Sequence, residues 1–143
     1  MAITQAIANN FKKLLLEGDS NFKASGGDVF KIALYSSSAT LNSATTSYTT
    51  VQEVGASGQY AAGGGKLVNS GTSITAGVAR VDWADRSWTG VTLTARGCLI
   101  YNSTQANKAI CVLDFGADKT ATSGTFTIQF PNFTSTAAIL RIS

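Results

Sequence analysis

The strongest constraint on the fold is a period-two alternation of side chains that runs through most of the chain after residue 28. In Val91 to Asn102, residues Val91, Leu93, Ala95, Gly97, Leu99 and Tyr101 point one way. Thr92, Thr94, Arg96, Cys98 and Ile100 point the other way. Successive side chains of a strand lie on opposite faces, so this spacing predicts a long strand. The same alternation predicts strands over 29–35, 49–54, 78–83, 108–115, 124–130 and 137–142, with shorter ones near 66–69 and 73–75. Polar turns with Ser, Thr and Gly separate them. The expectation is a mainly all-β chain: an antiparallel, jelly-roll-like β-sandwich of about eight strands with one short N-terminal helix. At 143 residues a single β-sandwich domain, 1–143, is expected.

The helix is expected within residues 2–16, where Ile3, Ile7, Phe11, Leu14 and Leu15 make one apolar stripe. Thr4 is its expected N-cap and Gly18 its expected C-cap. A stripe this narrow must dock on something, so residues 1–18 read as an N-terminal arm. Between residues 36 and 50 a Ser/Thr/Ala-rich stretch holding Tyr48 reads as a long surface loop. The glycine-rich stretch 55–65, with Tyr60 inside it, reads as a mobile loop or bulged turn.

Chemistry is excluded more readily than it is found. The chain has no histidine, which removes Ser-His-Asp and Cys-His catalysis and the usual zinc sites. Asp114-Phe115-Gly116 matches three letters of a kinase motif without its other parts. Gly63-Gly64-Gly65-Lys66 lacks the first glycine and the hydroxyl residue of a phosphate loop. The close carboxylate pairs, Asp82 with Asp85 and Asp114 with Asp118, fit a glycosidase only if aromatics line a cleft between them. No catalytic residue, cofactor or metal is expected.

The net charge of +3 comes from 11 Lys and Arg against 8 Asp and Glu, dispersed along the chain. Nucleic-acid binders concentrate such charge, so no direct nucleic-acid partner is expected. No apolar run reaches the roughly 18 residues of a membrane helix, and no signal peptide is visible, so no membrane partner is expected. Cys98 and Cys111 lie on the two arms of a predicted hairpin, which leaves buried thiols and a disulfide both open.

Five segments carry a resemblance. They are Ala2-Ile3-Thr4-Gln5-Ala6-Ile7-Ala8-Asn9-Asn10-Phe11, Phe30-Lys31-Ile32-Ala33-Leu34-Tyr35-Ser36, Ala95-Arg96-Gly97-Cys98-Leu99-Ile100-Tyr101-Asn102, Val112-Leu113-Asp114-Phe115-Gly116 and Phe126-Thr127-Ile128. Together they resemble the capsid cement (decoration) proteins of tailed bacteriophages over nearly the whole chain. The resemblance implies a jelly roll, a homodimer, and contact with the major capsid protein at the capsid surface of a virion assembled in the bacterial host cytoplasm. On that reading Ile3, Ile7, Phe11 and Leu14, with Tyr48, Tyr60 and Trp88, are the expected partner-binding residues. Loops 36–50 and 55–65 are the expected contact segments. The alternative is a carbohydrate-binding or fibre-associated phage module that stacks sugar on Tyr60, Trp83 and Trp88.

Overall fold

A computed structural model describes residues 2–130 and 140–142. In chain order its elements are β1 (Ala6–Ile7), α1 (Asn9–Leu16), β2 (Phe30–Tyr35), β3 (Gly65–Lys66), β4 (Asn69–Thr75), β5 (Val78–Trp83), β6 (Arg86–Asn102), β7 (Lys108–Ile128) and β8 (Leu140–Ile142). The expected all-β architecture is present. One sheet has five strands in the order β1-β7-β6-β2-β3, and the other has three in the order β4-β5-β8. Every pairing between these strands is antiparallel.

The hairpin β6–β7 dominates the fold. Its turn is fixed from within by Asn102, whose buried side chain donates to Asp28 Oδ2 at 2.8 Å and accepts from the Thr104 N–H at 3.0 Å. Ala106 and Asn107 complete the reversal with positive φ. Two expected strands, 108–115 and 124–130, merge into β7 because backbone pairing with β6 continues through the polar residues between them. The ladder is interrupted between Ala95 and Gly97, whose partners are Lys119 and Asp114. There β7 carries extra residues, a bulge that bends the ribbon. Arg96 spans it, 3.8 Å from Asp114 and 3.3 Å from Asp118. The second carboxylate pair is thus a structural clamp.

The N-terminal arm differs from expectation. Ile3 bridges Leu41, and Ala6 and Ile7 pair with Val112 and Cys111, so the helix begins only at Asn9. Ala8, not Thr4, is the N-cap, and no side chain caps it. Ile3 and Ile7 stand four apart, a spacing that suits one face of a strand as well as one face of a helix. Gly18 does end the helix. Its φ is +77°, its N–H bonds Leu15 O, and the Asp19 N–H bonds Leu14 O, the double closure of a Schellman motif.

The expected strand 49–54 is a turn with φ +62° at Gln52 and a single bridge from Glu53 to Tyr35. The expected last strand is seen only as β8, since residues 137–139 lie outside the described ones. Both cysteines are free and buried. Cys98 pairs with Leu113 and Cys111 with Ile100, so the thiols sit diagonally. A diagonal places Cα atoms about 7–8 Å apart, too far for an unstrained disulfide. Burial pushes the Cys111 thiol up to about 12 and holds the Cys98 thiol well above its usual range.

An aromatic cluster joins the sheets. Phe22 stacks on Phe30 with centroids 4.6 Å apart, and Trp83 meets Phe30 edge-on at 5.6 Å. Phe11 of α1 meets Phe22 at 5.8 Å, which fastens the helix to this core. The Trp83 indole N–H donates to Asn69 Oδ1 at 3.0 Å, so the buried ring leaves no orphan donor.

Candidate interaction surface

The seven expected partner residues fall into two groups. Ile3, Phe11, Tyr60 and Trp88 are buried in the chain's own core. Such side chains have no surface to offer a partner, so these four expectations are corrected. Ile7 is 36% exposed, and Leu14 and Tyr48 are half-buried. Ile7 and Phe11 line an apolar cavity of about 190 Å³ between α1 and the β5–β8 face, closed on the far side by Val81, Leu140 and Ile142. The sugar platform is corrected for the same reason: Trp83 and Trp88 are 1% and 0% exposed, and Trp88 packs edge-on against Tyr60 at 5.4 Å. The Asp85 carboxylate accepts from the Phe130 N–H at 2.8 Å, a structural role.

The loops 36–50 and 55–65 are tied down rather than presented. All four tyrosines of the chain gather at their base around Glu53. Tyr48 Oη donates to Glu53 Oε1 at 2.6 Å, and Tyr60 Oη donates to Oε2 at 2.7 Å. The Gly63 N–H donates to the same Oε2 at 2.9 Å. Tyr60 Oη also accepts from the Leu34 N–H of β2, Tyr35 Oη donates to Thr49 O, and Tyr101 Oη donates to Gly63 O. Tyr48 stacks on Tyr101 at 4.8 Å. Burial first, and the Glu53 charge after it, push Tyr101 up to about 12. Burial holds Tyr35, Tyr48 and Tyr60 well above the ordinary phenol range, with Glu53 adding to it. A carboxylate that accepts three donors fixes a loop far more firmly than glycine content suggests. Sequence spacing missed Glu53 because its partners, Tyr48, Tyr60 and Gly63, meet it by the folding back of two irregular loops and not at any helical or strand period.

What stays open is the outer half of the β6–β7 ribbon, residues 86–95 and 119–128. Its inner face is apolar and buried: Trp88, Val91, Leu93, Ala121, Phe126 and Ile128. Its outer face is a field of exposed hydroxyls. Ser87, Thr89, Thr92 and Thr94 of β6 stand beside Thr120, Thr122, Thr125 and Thr127 of β7. Thr94 and Thr120 hydrogen-bond at 2.9 Å, and Ser87 and Thr127 at 2.8 Å. No charged side chain is among these eight. The alternation in residues 91–95 and 119–128 signals this face, although the sequence gives no reason to prefer it over the loops.

The two edges of this outer ribbon differ. The β6 edge is covered by the turn 57–60: the Gln59 N–H bonds Thr89 O, Gln59 Oε1 accepts from the Thr89 N–H, and Ser57 Oγ accepts from the Thr92 N–H. Gly58, at φ +52°, packs so closely on Gly90 O that no side chain fits between them. On the other side, β1 pairs only with Cys111 and Val112 of β7. The Gln5 side chain accepts from the Asp114 N–H at 3.2 Å. From Phe115 to Ile128 no described strand flanks that edge.

No group of described residues has a composition that suits a metal ion, and no described helix is long and apolar enough to cross a membrane. No protein-family model, curated protein or solved structure matches this chain.

Proposed function

We propose that this chain is a non-enzymatic structural protein of a tailed-phage virion. It binds the outside of the capsid across seams between major capsid protein subunits, as a homodimer, and stabilises the shell. The observation that carries this reading is the uncharged hydroxyl face of the outer β6–β7 ribbon. Covering such a face with another subunit desolvates no charge, and each hydroxyl can exchange water for a hydrogen bond across the interface. The sequence resemblance points the same way. A clamp that binds only the assembled shell stabilises it by mass action, which is what a shell under internal pressure needs.

Particles assembled with and without the chain provide the test. Those carrying it are expected to release their contents at higher temperature. Equal release temperatures, or purified virions without the chain, would sink the reading.

A further inference from the structure

We infer that the open edge of β7, residues 119–128, takes an extended segment of a neighbouring protein as an added strand. The inference rests on the assembly reading above and names the segment that such an assembly would contribute.

A strand edge is a row of N–H and C=O groups that pair with any chain laid beside it, so folded proteins cover, twist or charge their edges. Among the described residues, the turn 57–60 covers one edge of the ribbon at Thr89 and Thr92, and no strand flanks the other. From Thr120 to Ile128 the β7 edge has no charged residue and no proline. Its residues favour extended backbone, and only the kink at Ser123, φ +46°, interrupts it. Water satisfies such an edge in isolation, and a partner strand satisfies it better when its side chains also find pockets.

The pockets are present. A groove of about 570 Å³ lies along this edge. The consecutive residues Thr125 to Gln129 all line it, so it follows the strand's edge rather than one face. Across the groove stand Gln5, Leu113 and Phe115, where β7 bends at its bulge and brings Phe115 within 6.2 Å of Phe126. Adding a strand here supplies main-chain hydrogen bonds, while alternate side chains of the newcomer meet the half-buried Leu113 and Phe115.

Charge selects the occupant. The groove is lined by Asp114 and Lys119. Asp114 is engaged with Arg96, whereas the exposed Lys119 amine makes no ion pair among the described residues. The matching segment is extended, with apolar side chains at alternate positions and one carboxylate placed to meet Lys119.

Hydrogen exchange of the chain, free and bound to purified virions, tests the edge. In the bound state residues 119–128 are expected to exchange more slowly, with β2 unchanged because it is already paired on both sides. Lys119→Glu is expected to reduce occupancy roughly tenfold, while Lys23→Glu, on a distant turn, leaves it unaltered. Bound chain with unprotected 119–128 overturns the added strand and spares the assembly reading. Virions that bind no copy of the chain overturn both. Protection of 119–128 that develops in the isolated chain as it is concentrated assigns the edge to a second copy and overturns the partner segment.

Discussion

The two halves of the β6–β7 hairpin are built from one continuous ladder, yet they solve opposite problems. In the half near the turn, Cys98, Leu99, Ile100 and Tyr101 face Ala109 to Leu113, and all but the half-buried Leu113 are buried whichever face they occupy. β2 flanks this half on one side and β1 on the other. In the outer half, apolar and hydroxyl residues alternate except at the register shifts around Gly90 and Ser123-Gly124, one face is wet, and no described strand flanks one edge. A strand that is buried on both faces gains stability from packing at every position. A strand wet on one face keeps the positions that packing does not use, and these are free to serve contact with another molecule.

Breaking the inner half has the largest expected effect. Ile100→Ala removes a fully buried side chain where nothing can collapse into the space, and an unfolding free energy lower by about 2–5 kcal/mol is expected in urea titration. Equal losses from Ile100→Ala and from Thr94→Val would erase the contrast between the halves.

The next largest effect concerns the loop that covers the β6 edge. Glu53→Ala strands the Tyr60 hydroxyl and the Gly63 N–H, and a loss of about 1.5–3 kcal/mol is expected, with faster amide exchange in residues 57–65. The same network sets a pH dependence. The phenols keep their protons to higher pH in the fold than in the unfolded chain. Their stabilising contribution is therefore complete below about pH 10 and declines as pH rises above it. Ultraviolet difference absorption is expected to show phenolate only well above pH 10, or together with unfolding. Phenolate at the ordinary phenol pKa in folded protein would contradict the network.

Gly58→Ala sharpens the comparison of the edges. A methyl group there meets Gly90 O and disfavours the positive φ, so a loss of about 1–2 kcal/mol is expected. With the turn displaced, no described strand or turn covers either ribbon edge, and sedimentation is expected to show concentration-dependent association beyond the parent chain's dimer. The smallest effect is that of Thr94→Val on the wet face. Its stability change is expected to lie within about 0.5 kcal/mol in the same urea titration, while binding to virions weakens.

Much of this was legible in the residues. Phe30 to Tyr35, Val78 to Trp83 and the turn at 103–107 lie where alternation and turn chemistry put them, because those signals are local. The helix start was not legible, since Ile3 and Ile7 fit a strand and a helix equally well and the sheet edge at Val112 decided between them. The segment 49–54 has the residues of a strand. Glu53 holds it in a turn instead, through hydroxyls of Tyr48 and Tyr60. Sequence reasoning found Tyr48, Tyr60 and Trp88 as conspicuous aromatics and assigned them to a partner. Burial assigned Tyr60 and Trp88 to the core and left Tyr48 half-buried against it.

By itself, then, the sequence determined an all-β chain with a short N-terminal helix, no histidine chemistry and little charge. Those properties depend on neighbours two to four positions apart. Only the tertiary structure decided that four tyrosines gather around one carboxylate, that a glycine turn covers one ribbon edge, and that no described strand takes the other. Each depends on which distant segments lie side by side. Many pairings of uncharged, alternating strands have the same local pattern, and long-range packing selects among them.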